Sequence, residues 1–154
     1  MNAPIWATSY PPGVHWDADI PVSPVQDVLD LAAATWPTKP ALDFTGRRIT
    51  YAELQALANQ AAAGLQKLGV GPGVHVGLYL PNTLHYTVAF FGVLKAGGTV
   101  VNYSPLDAEQ VLHHKVDDSE TDILVTLDLA LLYPQMRRLL DSTRLKTLVV
   151  GDTA

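Results

Sequence analysis

Apolar positions recur along this chain at helical and at strand spacing in turn, and proline, glycine or a capping residue stands at most of the changes. From Ser23 or Pro24 onward, Val25, Val28, Leu29, Ala32, Ala33 and Trp36 fall at helical intervals, which predicts a helix with those six inward, ended by Pro37. Ala41 to Phe44 and Arg48 to Thr50 read as short strands around a turn at Thr45-Gly46-Arg47. Thr50 and Glu53 form a Thr-x-x-Glu capping box, in which each side chain satisfies an amide at a helix start. The helix it opens runs to about Leu68, with Leu54, Leu57, Ala58, Ala61, Gly64, Leu65 and Leu68 on one face and Gly69 placed to close it.

The second half of the chain repeats one pattern. Val74 to Leu80 is a predicted strand that Pro81 stops, and Asn82 is a good N-cap for the next helix. That helix, Thr83 to Ala96, is apolar nearly all round, as a helix buried between layers should be. Lys95 is placed to complement its C-terminus, and Gly97-Gly98 lets the backbone leave sharply into the strand Thr99 to Tyr103. Ser104-Pro105 breaks that strand, and Asp107 to Asp118 reads as a helix with Val111, Leu112 and Val116 inward. Thr121 to Leu127 is a further strand. Asp128 to Leu140 is a helix interrupted by Pro134, and Leu145 to Asp152 is a last strand. Helices alternating with continuous apolar strands predict an α/β fold, a mostly parallel sheet covered by helices on both faces. Prolines 4, 11, 12 and 21 set residues 1–22 apart as an extended arm without regular structure. Its Trp6, Tyr10 and Trp16 need something to lie against. Residues 23–154 read as a first α/β subdomain, and an incomplete one.

Composition sharpens this. Charged residues make up only 16% of the 154 residues against 48% apolar, so an unusual share of the chain expects to be covered. The formal charge is −5 and the basic residues are scattered, Arg47-Arg48 and Arg137-Arg138 being isolated pairs, which argues against nucleic acid as a partner. The absence of cysteine excludes disulfides, thiolate catalysis and Cys-based zinc sites. The N-terminal stretch lacks the basic start and apolar core of a signal peptide, and Tyr86 to Leu94 is too short to span a bilayer. A cytoplasmic protein without a transmembrane segment is expected.

Candidate chemistry is sparse. The glycines of Gly69 to Gly77 do not form a dinucleotide fingerprint: Val74 stands where the third glycine belongs, and the stretch precedes a strand when it should follow one. No Gly-x-x-x-x-Gly-Lys-Ser/Thr loop occurs. His113 and His114 are adjacent on a helix, so their rings diverge by about 100° and cannot converge on one metal ion. His75 and His85 flank a strand–helix junction as loop-edge decoration. Asp117, Asp118 and Glu120 read as a solvated run at a helix end, and Asn102-Tyr103-Ser104 as a sequon without consequence. The Ser104-Pro105 loop lies beyond the C-terminal end of a strand, the edge at which open parallel sheets bind ligands, and so could face a substrate.

The stretches GRRITYAEL, GLQKLGVGPGVHVGLYLPNT, FFGVLKAGGTVVNYSPL and DILVTL together resemble the N-terminal part of the AMP-forming acyl-CoA synthetases, the family of firefly luciferases and nonribosomal peptide adenylation domains. Ile49 to Leu54 is similar to the first core motif of that family, and Leu94 to Gly98 running into Tyr103 resembles the second. The opening YPPGVHWDADIP looks most like bacterial fatty-acid–CoA ligases. The resemblance implies the adenylate-forming large domain as the fold. For a whole enzyme it implies ATP, magnesium and coenzyme A, with a carboxylic acid activated as an acyl-adenylate and passed to a thiol.

Both motifs are structural in the family, and its phosphate loop, nucleotide-binding set and mobile-domain lysine have no counterpart between Met1 and Ala154. No catalytic, cofactor-binding or metal residue is therefore assigned, and the chain alone is expected to be inactive and to bind no cofactor. Many members continue the second motif into Asn-Pro, where this chain has Ser104-Pro105, so no substrate contact is carried onto it. The expected partners are the remainder of a ligase chain, a fatty or related carboxylic acid in the whole enzyme (aryl and dicarboxylic acids included), and other copies of the chain through uncovered apolar surface. The competing expectation is a stand-alone α/β binding module without activity.

Overall fold

The structure, a computed structural model, describes residues 4–152. The first three residues of the proposed arm and the last two of the proposed subdomain lie outside that range. The arm is not wholly irregular: Ile5–Ser9 makes a short 3-10 turn, and Trp6, Tyr10 and Trp16 stay exposed.

Helix α1 (Asp27–Thr35) leads into a hairpin of β1 (Pro40–Phe44) and β2 (Arg47–Thr50), which pair antiparallel. Only Leu29, Ala32 and Ala33 of α1 are buried. Val25, Val28 and Trp36, predicted inward, face out because the hairpin and α2 (Tyr51–Lys67) cover only half of the apolar stripe. The capping box that opens α2 is formed: Glu53 N donates to Thr50 Oγ1 at 3.3 Å and Thr50 N to Glu53 Oε2 at 2.7 Å. These bonds hold the Glu53 carboxyl below its ordinary pKa. At the other end Gly69 has φ +90°, with Gly69 N donating to Gln66 O and Val70 N to Leu65 O, both at 3.0 Å. This is a Schellman close, with Val70 and Leu65 both buried as the accompanying apolar contact. Gly64 and Leu68, predicted on the inner face, are exposed.

The remaining strands are β3 (His75–Leu78), β4 (Thr99–Asn102), β5 (Thr121–Leu127) and β6 (Thr147–Gly151), and they form one parallel sheet in the order β4-β3-β5-β6. Between them run α3 (Leu84–Ala96), α4 (Glu109–Asp118) and α5 (Tyr133–Ser142). The chain passes from β3 outward to β4, then returns across β3 to β5. Successive crossovers thus run in opposite directions, and with one handedness they place α3 and α4 on opposite faces of the sheet.

No residue of α3 is fully exposed, which agrees with its all-round apolar sequence. It packs along α2 at such short range that a Cβ on Gly92 would come within 2.8 Å of Ala61 Cβ. Its exit is a second Schellman close: Gly97 has φ +89°, Gly97 N donates to Leu94 O and Gly98 N to Val93 O, both at 3.0 Å. Three predicted details change. The N-cap position belongs to Thr83, not Asn82, and makes no side-chain cap bond. Pro134 does not interrupt α5 but stands in its first turn, where its missing N–H costs nothing. Val111 is exposed, because the apolar face that α4 buries is carried by Leu112 and Val116.

Two apolar clusters result. The larger joins the sheet residues Val76, Leu78, Leu124 and Leu127 to Val93 of α3, Leu112 of α4, and Met136 and Leu139 of α5. The smaller, Leu29, Ile49, Leu54, Ala58 and Leu84, ties α1 and the hairpin to α2 and α3.

Candidate functional site

In a sheet of this order the reversal between β3 and β5 opens a crevice beyond the C-terminal ends of those strands. Tyr79 continues β3 into this edge, its N–H donating to Val125 O at 3.0 Å. Its ring is wholly buried. The phenol donates to Gln135 Oε1 of α5 at 2.6 Å and lies 3.5 Å from Pro105 O, so one side chain touches the segments that follow β4 and β5. Burial first, and the nearby Asp107 charge second, raise its pKa above the ordinary tyrosine value. Through these contacts the neutral phenol braces the loop after β4 against α5.

The loop it braces is compact. Asp107 N donates to Ser104 O at 3.0 Å and Leu106 N to Ser104 Oγ at 3.1 Å, so the serine hydroxyl is engaged within its own turn. Lys115 Nζ pairs with Asp107 Oδ2 at 2.5 Å and ties the loop to α4. Ser104 and Pro105 lie beyond the C-terminal end of β4, as their place after that strand predicted. Tyr79, Gln135 and the Asp107–Lys115 pair were missed: the tyrosine reads as one more apolar strand position, and the glutamine lies 56 residues away.

The other candidates do not converge on this edge. His75 stands at the start of β3, the opposite end of the strand, with Nδ1 2.5 Å from Ser119 O. His113 sits between Ser142 O at 2.9 Å and the Asp117 carboxylate at 3.5 Å, while His114 faces solvent. Asp117, Asp118 and Glu120 are exposed. Asn102 Oδ1 accepts from Tyr86 Oη at 3.1 Å, and Tyr103 is buried, donating to Thr121 Oγ1 at 2.8 Å. Among the described residues no three His, Asp or Glu are grouped to hold a metal ion, and no helix is long and apolar enough to cross a membrane. Lys95 does not cap its own helix: its ammonium pairs with Asp30 of α1.

An open parallel sheet with a topological reversal and a braced loop at its C-terminal edge is the framework of a ligand-binding α/β domain. The chain belongs to the AMP-binding enzyme family, which matches residues 29–153. It is 33% identical over 147 residues to the long-chain-fatty-acid–CoA ligase of Bacillus subtilis, covering 96% of this chain and 25% of that protein. A long-chain-fatty-acid–CoA ligase of Salmonella typhimurium is 37% identical over 119 residues, covering 75% of this chain and 21% of that one. The apo structure of Mycobacterium smegmatis MbtA superposes with a TM-score of 0.75 at 37% identity, over 83% of this chain and 24% of the other. A long-chain-fatty-acid-CoA ligase from Archaeoglobus fulgidus, at a TM-score of 0.77 and 24% identity over 87% of this chain and 28% of its own, shares the fold. That fold is part of the large domain of the adenylate-forming enzymes, and this chain spans about a quarter of the Bacillus subtilis ligase it matches.

Proposed function

We propose that this chain forms the first α/β layer of an AMP-forming fatty-acid–CoA ligase, and that by itself it supplies framework and not catalysis. The observation that carries the reading is the likeness to the Bacillus subtilis ligase along 96% of the chain. A whole enzyme of this kind would take ATP with magnesium, a fatty acid and coenzyme A. In this reading the nucleotide is held by other parts of the enzyme, which the lack of a Gly-x-x-x-x-Gly-Lys-Ser/Thr loop in the sequence and the pairing of Lys115 with Asp107 support. What the chain contributes is a rigid sheet edge, with Tyr79 fixing the loop after β4 against α5.

A chimera tests the reading. Residues 29–153 of this chain replace the matching segment of the Bacillus subtilis ligase, and the product is assayed with palmitate, ATP, magnesium and coenzyme A. Palmitoyl-CoA formation is expected; a folded chimera that forms none overturns the fatty-acid assignment. The 154-residue chain alone should release no pyrophosphate under the same conditions, and release of pyrophosphate overturns the framework role.

A further inference from the structure

The phenol of Tyr79 has one proton to donate and two acceptors within reach, Gln135 Oε1 at 2.6 Å and Pro105 O at 3.5 Å. The first distance is that of a short hydrogen bond, and the second lies at the outer limit of one. The acceptors stand on different segments, Gln135 in the first turn of α5 and Pro105 on the loop after β4. They also differ from the phenol in access to water. Tyr79 is wholly buried, whereas Gln135 and Pro105 are only partly so. A phenol that lost both acceptors would be an orphaned buried donor, but water still reaches either acceptor once it is released. Exchanging one acceptor for the other therefore loses no hydrogen bond. The Gln135 amide offers the same exchange in place: turned by half a rotation, it donates from Nε2 to the phenol oxygen and frees the phenol proton for Pro105 O. The loop of residues 104–107 is anchored elsewhere, by Lys115 Nζ on Asp107 and by the turn that Asp107 N and Leu106 N close on Ser104. Pro105 O is the point at which it is held to the end of β3 or left to water.

We propose that Tyr79 is a single-proton toggle between the segments that follow β4 and β5. While the phenol donates to Gln135, the loop of residues 104–107 is held loosely; when Gln135 Oε1 is withdrawn, the proton passes to Pro105 O and the loop tightens onto the sheet. The order of that loop is thus set from the first turn of α5, across the end of β3. The loop lies at the edge where open parallel sheets bind ligands, so a hydrogen-bond donor that engages Gln135 Oε1 there tightens it. The device uses side chains of this chain alone and does not rest on the ligase reading.

The test is backbone amide exchange at Leu106 and Asp107, read by NMR on the 154-residue protein and its variants. Gln135→Leu removes the nearer acceptor and should slow exchange at both amides about five-fold, the scale of one neutral hydrogen bond. The Pro105 carbonyl carbon should shift downfield in the same variant, as a carbonyl does on gaining a donor. Tyr79→Phe keeps the ring and removes the proton, so the double variant Tyr79→Phe with Gln135→Leu should lose the protection and the shift. Val149 of β6 serves as the control for the fold, and Gln135→Met replaces Gln135→Leu if its exchange changes. A fixed brace predicts the opposite sign, because removing Gln135 would then loosen the loop. Exchange that is unchanged or faster in Gln135→Leu and Gln135→Met overturns the toggle, and so does protection that survives in the double variant.

Discussion

Lys95, next to the last residue of α3, donates from Nζ to Asp30 Oδ1 on α1 at 2.5 Å, and Gln55 of α2 donates to the same oxygen at 2.7 Å. One carboxylate thus joins three helices at the edge of the smaller apolar cluster. The two partners are unequally covered: the Lys95 side chain is 12% exposed and that of Asp30 43%.

That asymmetry ranks two substitutions. Asp30→Ala leaves a nearly buried ammonium without its partner and should cost about 1–3 kcal/mol. Lys95→Met keeps the packing and leaves a carboxylate that water still reaches, so it should cost less. Urea midpoints of the two variants check the order, and equal losses would contradict it.

The same site should make stability fall in acid. Lys95 first, and Gln55 second, hold the Asp30 carboxyl below its ordinary pKa. A depressed folded-state value stabilises above the unfolded carboxylate pKa of about 3.9, and that gain is lost as pH falls through the folded value. Asp122, lowered by Lys146, works in the same direction. Wild type should lose stability between about pH 5 and pH 2, and Asp30→Asn should lose less over that window. Parallel curves for the two proteins would remove Asp30 from the acid response.

Gly97 ends α3 in the left-handed region, and a Cβ added there would meet Pro72 Cδ first, at an ordinary contact distance of 3.4 Å. Any cost of substitution is therefore backbone strain and not collision. Gly97→Val should destabilise by more than about 1 kcal/mol, and Gly97→Asn by less, because asparagine tolerates this conformation. Denaturation of both variants gives the comparison; a harmless valine would show that the helix can close another way.

The outer side of α1 leaves Val28, Leu31 and Trp36 exposed at 63%, 70% and 47%, above a groove of about 640 Å³ shared with Phe91. Contiguous apolar surface of this kind finds a partner. The chain alone should self-associate as its concentration rises, and Leu31→Glu should shift sedimentation toward the 16.6 kDa monomer. A wild-type protein that stays monomeric throughout would show that this surface is tolerated by water.

Signals carried by a few neighbouring residues were legible in the sequence. The Thr50–Glu53 box, the glycine closes at 69 and 97, the alternation of strands and helices and the buried character of α3 are all local, because each rests on backbone bonds within one turn or on the composition of one element. The family could also be read from motifs that lie within such elements. Only the tertiary structure decided the rest. The order β4-β3-β5-β6 depends on which strands share an edge, and no single strand encodes that. Lys95 has a helix terminus beside it in sequence, yet it reaches Asp30, 65 residues away, because packing brings α1 over α3 and leaves a carboxylate there. Val28 and Leu29 are equally apolar neighbours on one helix. Leu29 is buried and Val28 exposed because the hairpin and α2 cover only one side of that helix, and periodicity shows that a face is apolar without showing how much of it another element reaches.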